Sequence, residues 1–300
     1  MDMFHLDLED LHNKSICTFC KSSETIAIKE NQIAVKGHRY SLFECLECGI
    51  WFSPKSDGDC INYESYDENL SIRDESFIAN RYLNKLVNID FSEFETAIEI
   101  GCAKGDFLNL IKKSNPHLVL GGVELNHKMC DFALKSGIEC YMDYKMHQQK
   151  FDVIFANHVI EHFNHPDDFL DLFSSLGSKK HTLVLNFPNK NNIWTKRGYF
   201  TDLHVPFHRF YYSLEEVLGF LINEGYTIIE ASTTEKNRYK SNLEQSRYNY
   251  FRKDLDLFKK VAPDFSKWDD NLDKAEVEKL EKEIDRLNLG SEAFIIAKKT

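Results

Sequence analysis

No run of about 18 apolar residues occurs in this sequence, so no transmembrane helix is expected. The opening stretch, Met1–Asp10, is acidic and has no apolar core. It does not read as a secretory leader, and the cytoplasm is the expected compartment. Basic residues are in the minority: 37 Lys and Arg face 48 Asp and Glu, for a formal charge of −11. That balance works against general nucleic-acid binding, which needs a basic face. Glycine is missing where a dinucleotide site needs it. A Gly-x-Gly-x-x-Gly turn would require glycine at Ala103 and Asp106 after Gly101, so an NAD enzyme is not expected.

What remains is an ordinary globular chain, with 42% hydrophobic and 28% charged residues over 300 positions. That length suits one large domain with a small appendage. Eight cysteines fall into two groups. Cys17-Thr-Phe-Cys20 and Cys45-Leu-Glu-Cys48 form two Cys-x-x-Cys knuckles. Cys60, Cys102, Cys130 and Cys140 show no pattern and suit small buried hydrophobes. Between the knuckles lie strand-like runs at 25–28, 33–35 and 40–43, a short antiparallel meander. Four thiolates at this spacing point to a zinc ribbon over 15–56, with Cys17, Cys20, Cys45 and Cys48 as ligands of a structural Zn2+. Such a closed site leaves no position for substrate. Residues 57–95 follow as a linker with an amphipathic helix at 72–89, whose Ile78, Tyr82, Leu86 and Ile89 recur at helical spacing.

The third unit spans 96–300. Thr96–Ile100 is a short apolar strand that turns through Gly101 and Gly105 into a helix with Phe107, Leu108 and Ile111 on one face. Further strands are expected at 118–124, 138–142, 151–156, 182–187, 226–230 and 292–297. Helices are expected at 106–113, 128–136, 167–176 and 214–223, the last opened by the capping box Ser213-Leu-Glu-Glu216. The alternation predicts an α/β fold: a Rossmann-like, seven-stranded, mainly parallel sheet with helices on both faces, the final strand running antiparallel. A helical insertion interrupts it at about 233–290. Its first helix carries Phe251, Leu255, Phe258 and Ala262 on one face. Its second carries Val277, Leu280, Ile284 and Leu287, a stripe that suits core packing or the seam of a homodimer.

Two motifs carry a resemblance. Glu99-Ile-Gly-Cys-Ala-Lys-Gly105 resembles motif I of class I S-adenosyl-L-methionine (SAM) dependent methyltransferases, and Phe151-Asp-Val-Ile-Phe-Ala-Asn-His-Val-Ile-Glu-His162 resembles their fourth-strand motif. The cysteine knuckles followed by Cys48-Gly-Ile-Trp-Phe-Ser-Pro54 are similar to zinc-containing sugar methyltransferases. The likeness covers roughly 15–232 and the last strand. It departs from the family at Ala103, where glycine is usual, and at Phe207, where the family example has Glu before its base.

The resemblance implies SAM as methyl donor. Glu99, Gly101, Cys102, Ala103, Gly105, Glu124, Asp143 and Asn157 are then the cofactor-binding residues. Glycines at 101 and 105 let backbone approach the ligand closely. Glu124, at the end of the second strand, suits the two ribose hydroxyls because a carboxylate only accepts. Asp143 suits the adenine amino group. Glu99 suits the amino-acid end of the donor or the loop itself. On the acceptor side the resemblance points to His208 as base, with His162 beside the acceptor and His158 lining the pocket. Histidine ionises near neutrality, which suits removal of a hydroxyl proton. A metal at Glu161, His162 and His165 is not expected, because Pro166 starts the helix only there. The expected reaction is methyl transfer to a hydroxyl, less readily to carbon or nitrogen, of a small polar metabolite such as a sugar or sugar nucleotide. The alternative is an inactive zinc-ribbon binding protein acting through its helical insertion.

Overall fold

The computed structural model describes residues 15–35, 38–54, 82–196, 207–235 and 274–300. The expected helix over 251–262, the first part of the 72–89 helix and Cys60 lie outside the described residues.

The larger of two sheets has seven strands, β4 (Thr96–Ile100), β5 (Val119–Val123), β6 (Glu139–Tyr141), β7 (Phe151–Asn157), β8 (Gly177–Pro188), β10 (Tyr226–Thr234) and β11 (Glu292–Lys299). Their order is β10-β11-β8-β7-β4-β5-β6. The pairs β4–β5, β4–β7, β5–β6 and β7–β8 are parallel, while β11 runs antiparallel to both β8 and β10. This is the expected Rossmann-like sheet with its last strand inserted in reverse. The central strands are buried on both faces, so they read as unbroken apolar runs.

Helix α1 (Asp106–Ser114) buries Phe107, Leu108, Leu110 and Ile111, and α2 (His127–Lys135) buries Met129, Cys130 and Ala133. Helix α3 (Pro166–Leu176) packs Phe169 and Phe173 into the other side of the core. A short helix, α4 (Ile193–Lys196), follows β8. Helix α5 (Leu214–Asn223) is opened by the predicted box: Ser213 Oγ accepts from Glu216 N–H, and Glu216 Oε2 accepts from Ser213 N–H. Helix α6 (Lys274–Arg286) buries Val277 and Ile284 and packs on β10. Within the chain two residues of its apolar stripe are thus buried, and Leu280 and Leu287 are half-buried.

The smaller sheet has the order β1-β2-β3-β9, from β1 (Thr25–Val35), β2 (His38–Cys45), β3 (Trp51–Phe52) and β9 (Phe210–Tyr211). Two separate runs were expected at 25–28 and 33–35. They form one strand instead, and its register against β2 shifts twice, from Ala27 opposite Phe43 to Lys29 opposite Leu42 to Ile33 opposite Tyr40. The polar Lys29–Gln32 stretch is absorbed as an irregularity in the ladder rather than making a turn. Where the sequence suggested the end of a helix at 82–89, the described residues hold only a 3-10 turn, Leu83–Lys85. Tyr82 and Leu86 are buried as their spacing implied, Tyr82 edge-on to Phe107 at 5.9 Å, yet asparagine and β-branched neighbours do not extend the turn.

Candidate functional site

The loop between β4 and α1 winds through three residues in the left-handed region: Gly101 (φ 68°), Ala103 (φ 49°) and Gly105 (φ 79°). At Gly101 a Cβ would also meet Val159 Cγ2 at 2.7 Å, so that position excludes every side chain. Ala103 adopts a conformation that costs an L-residue about 1 kcal/mol, which is the physical reason glycine is usual there. A hydrogen bond opposes this cost. The Ala103 N–H donates to Glu124 Oε2 at 2.9 Å, and Asn126 N–H donates to Glu124 Oε1 at 2.8 Å. Burial pushes the Glu124 carboxyl up, against the pull of these N–H groups and that of Leu125. Each oxygen keeps a lone pair beyond the one its N–H uses.

Glu99 is buried beneath the loop, and Asn157 Nδ2 donates to its Oε1 at 2.9 Å. From there a line of polar groups crosses the ends of the strands. Asn186 Nδ2 donates to Asn157 Oδ1 at 2.7 Å, and Lys85 Nζ donates to Asn186 Oδ1 at 3.0 Å. Lys85 also lies 3.6 Å from Glu292 Oε2, and His158 Nε2 lies 3.0 Å from Glu292 Oε1. The other side of that ring faces a second carboxylate, with Nδ1 3.4 Å from Glu161 Oε1. Burial disfavours a charged His158, but Glu161 and Glu292 outweigh it and raise its pKa above the ordinary 6.5. His208 Nε2 stands 3.9 Å from the same Glu161 oxygen, and the His162 and His208 rings are 4.8 Å apart, edge to face.

The remaining predicted residues are less uniform. Cys102 is buried with its Sγ 3.6 Å from Cys140 Sγ and against Gly122, so only its backbone can serve a ligand. Asp143 is exposed, and its Oδ1 caps the Tyr144–Met146 turn by accepting from Lys145 N–H. His165 takes no part in the imidazole cluster. Its Nδ1 accepts from Asp167 N–H to cap α3, and its Nε2 donates to Phe19 carbonyl at 3.3 Å. Sequence reasoning passed over Glu292, Asn186 and Lys85. Nothing local marks them, because their meeting depends on β11 returning between β8 and β10. Glu161 did carry a signal, the close spacing His158-Val-Ile-Glu-His162.

In the smaller module the four knuckle cysteines converge, with Sγ atoms within 4.8 Å of one another. Cys17 and Cys48 are 3.8 Å apart, and Cys20 and Cys45 are 3.5 Å apart. A tetrahedron of about 2.3 Å zinc–sulfur bonds puts its sulfurs about 3.8 Å apart. Backbone N–H groups of Phe19 and Cys20 face the Cys17 sulfur, and those of Glu47 and Cys48 face Cys45. The residues present fit a thiolate-bound metal.

A family model described as "Methyltransferase domain" matches residues 72–231. The chain belongs to this methyltransferase family. The matched span begins after the cysteine knuckles and includes the loop, Glu124 and the imidazole cluster. No curated protein matches the chain. Among solved structures, a SAM-dependent methyltransferase from Archaeoglobus fulgidus is 20% identical, covers 74% of this chain and 91% of its own, and has a TM-score of 0.47. An O-methyltransferase of a Brevibacillus brevis trans-AT polyketide multienzyme, in complex with S-adenosyl-L-homocysteine, is 14% identical over 71% of this chain and 68% of its own, with a TM-score of 0.42. Coclaurine N-methyltransferase is 14% identical over 76% and 75%, with a TM-score of 0.45. In this methyltransferase the donor set of the loop fits SAM: a backbone turn with no side chain at Gly101, and an acidic acceptor for a diol at Glu124. No helix among the described residues is long and apolar enough to cross a membrane.

Proposed function

We propose that this chain moves a methyl group from SAM to a hydroxyl of a small polar metabolite, with a sugar or sugar nucleotide as the favoured class. SAM supplies a methyl group activated by its sulfonium, so the protein's task is alignment and removal of a proton. Glu124 would hold the ribose hydroxyls with its remaining lone pairs. Glu99 and Asn157 would face the amino-acid end, and Asp143 the adenine through its second oxygen. His208 would take the hydroxyl proton, and His162 would orient the acceptor. The observation that carries this reading is the meeting of His162 and His208, 4.8 Å apart. They sit beyond β7, which lies beside the strand that feeds the glycine loop, on the side where open α/β sheets bind ligands. A neutral-range base suits oxygen better than an unactivated carbon.

In the same reading Cys17, Cys20, Cys45 and Cys48 hold a structural Zn2+, and the protein works in the cytoplasm with its thiols reduced. Calorimetric titration with SAM tests the donor site, followed by a screen of metabolite extracts for incorporation of labelled methyl. Donor binding with label in a small polar product supports the reading. Absence of donor binding would favour an inactive binding protein built on the same fold.

A further inference from the structure

Glu161 sits in an unusual place for a carboxylate. It is 1% exposed, and neither of its oxygens meets a hydrogen-bond donor in bonding geometry. Burying a carboxylate this way is costly unless a cation stands against it. The groups that face it are imidazoles: His158 Nδ1 at 3.4 Å and His208 Nε2 at 3.9 Å. One ligand atom each from Glu161, His162 and His208 falls within a sphere in which all three lie within 4.8 Å of one another. Bonds of about 2.0 to 2.2 Å to a shared ion would place such atoms about 3 to 3.5 Å apart, so modest closure completes the set.

The hydrogen bonding of His162 suits this. Its Nδ1 lies 3.0 Å from the Phe207 carbonyl, which can only accept. Nδ1 therefore carries the proton, and Nε2 keeps the lone pair. A ring proton given to a backbone carbonyl is the usual support of a metal-ligating histidine. The ligand types, two imidazoles and one carboxylate, suit a divalent transition cation and leave coordination positions open.

We propose that Glu161, His162 and His208 form a second metal site, distinct from the cysteine cluster, that binds a divalent transition cation with open positions toward acceptor oxygens. The role given to those open positions rests on the methyl-transfer reading; cation binding does not. Were an ion bound, Glu161, His162 and His208 would hold it, and it would supply Lewis-acid polarisation of the acceptor hydroxyl, whose proton would then pass to solvent water rather than to His208.

The test uses the full chain with zinc already in its cysteine cluster, titrated with Co2+ and followed by visible absorption and by metal analysis after desalting. A second equivalent is expected, with weak d–d bands and no thiolate charge-transfer band. Glu161→Gln and His162→Asn should each weaken that equivalent by more than about tenfold and leave the first metal in place. His162 is the more exposed residue, so its variant carries the test should Glu161→Gln fail to fold. No second equivalent in the wild-type chain, or a second equivalent unchanged in the folded variants, overturns the site. SAM titration of the same samples separates the two readings. Cobalt binding without donor binding refutes methyl transfer alone, and donor binding without cobalt binding refutes the cation site alone.

Discussion

The Ser53 N–H donates to the Arg209 carbonyl at 2.9 Å, immediately beyond His208. That bond continues the pairing of Trp51 with Tyr211 and Phe52 with Phe210, which makes β9 the fourth strand of the cysteine module's own sheet. Lys190 adds a second tie, donating to the Gly49 carbonyl at 2.7 Å and to Glu216. The knuckles thus brace the segment that carries the proposed base. In the zinc reading a module this small would hold its shape through its metal. Cys45→Ser should therefore release zinc and lower turnover at least about tenfold, while SAM affinity stays within about twofold. Metal analysis, turnover and calorimetry on one preparation check this, and full turnover in the metal-free variant would refute it.

Ala103 offers a gain rather than a loss. Its left-handed backbone carries a Cβ that glycine would omit. Ala103→Gly should raise stability by up to about 1 kcal/mol, less whatever the more flexible unfolded chain recovers. Donor affinity should be equal or tighter. Urea denaturation and SAM titration measure the two effects, and a weaker donor site in this variant would show that the methyl group itself makes a useful contact.

Glu124 has two tasks, and substitution can separate them. Glu124→Ala removes both the diol acceptor and the partner of the Ala103 and Asn126 N–H groups. SAM binding should weaken more than about tenfold, with a stability loss of about 1 kcal/mol or more because two N–H groups lose their acceptor. Glu124→Gln keeps one oxygen and should fall between. Unchanged affinity in both variants would remove the ribose role.

Much of the sheet was legible because its strands are short apolar runs bounded by glycines, and because Ser213 and Glu216 announce a helix start with their own side chains. Positions set by local backbone demand, such as Gly101 and Gly105, were also readable. Contacts made by distant segments were not. Nothing near Glu292 signals that it will meet His158, and nothing near Phe210 signals that two residues will join the sheet of another module. Local side-chain work is also hard to read ahead: Asp143 and His165 have the chemistry of ligand-binding residues, and each spends side-chain atoms on capping a nearby turn or helix, which competes locally for polar groups.

His208→Ala and His162→Ala distinguish the roles given to the two rings. With His208 as base, its loss should cut kcat by about a hundredfold or more and leave SAM affinity intact. With His162 as an orienting group, its loss should raise the acceptor KM more than it lowers kcat. If His208→Ala retains full turnover, the proton leaves by another route and the assignment fails.

Asp285 gives the molecule a further pH dependence. Burial pushes its carboxyl up to about 6, with Glu281 adding to the rise and the Glu235 N–H, which donates to Oδ1 at 2.6 Å, pulling the other way. A carboxyl with a folded pKa above its unfolded value binds more protons when folded. Its contribution to stability therefore grows as pH falls from about 6 toward 4 and is lost as pH rises through the folded value. Asp285→Asn should remove that slope and leave the variant more stable than the wild type at pH 7 by about 1 kcal/mol, discounted for the solvent still reaching the group. Urea midpoints at pH 5 and 7 decide it: the wild-type difference between the two should exceed that of the variant, and equal differences would show that Asp285 titrates as an ordinary surface carboxyl.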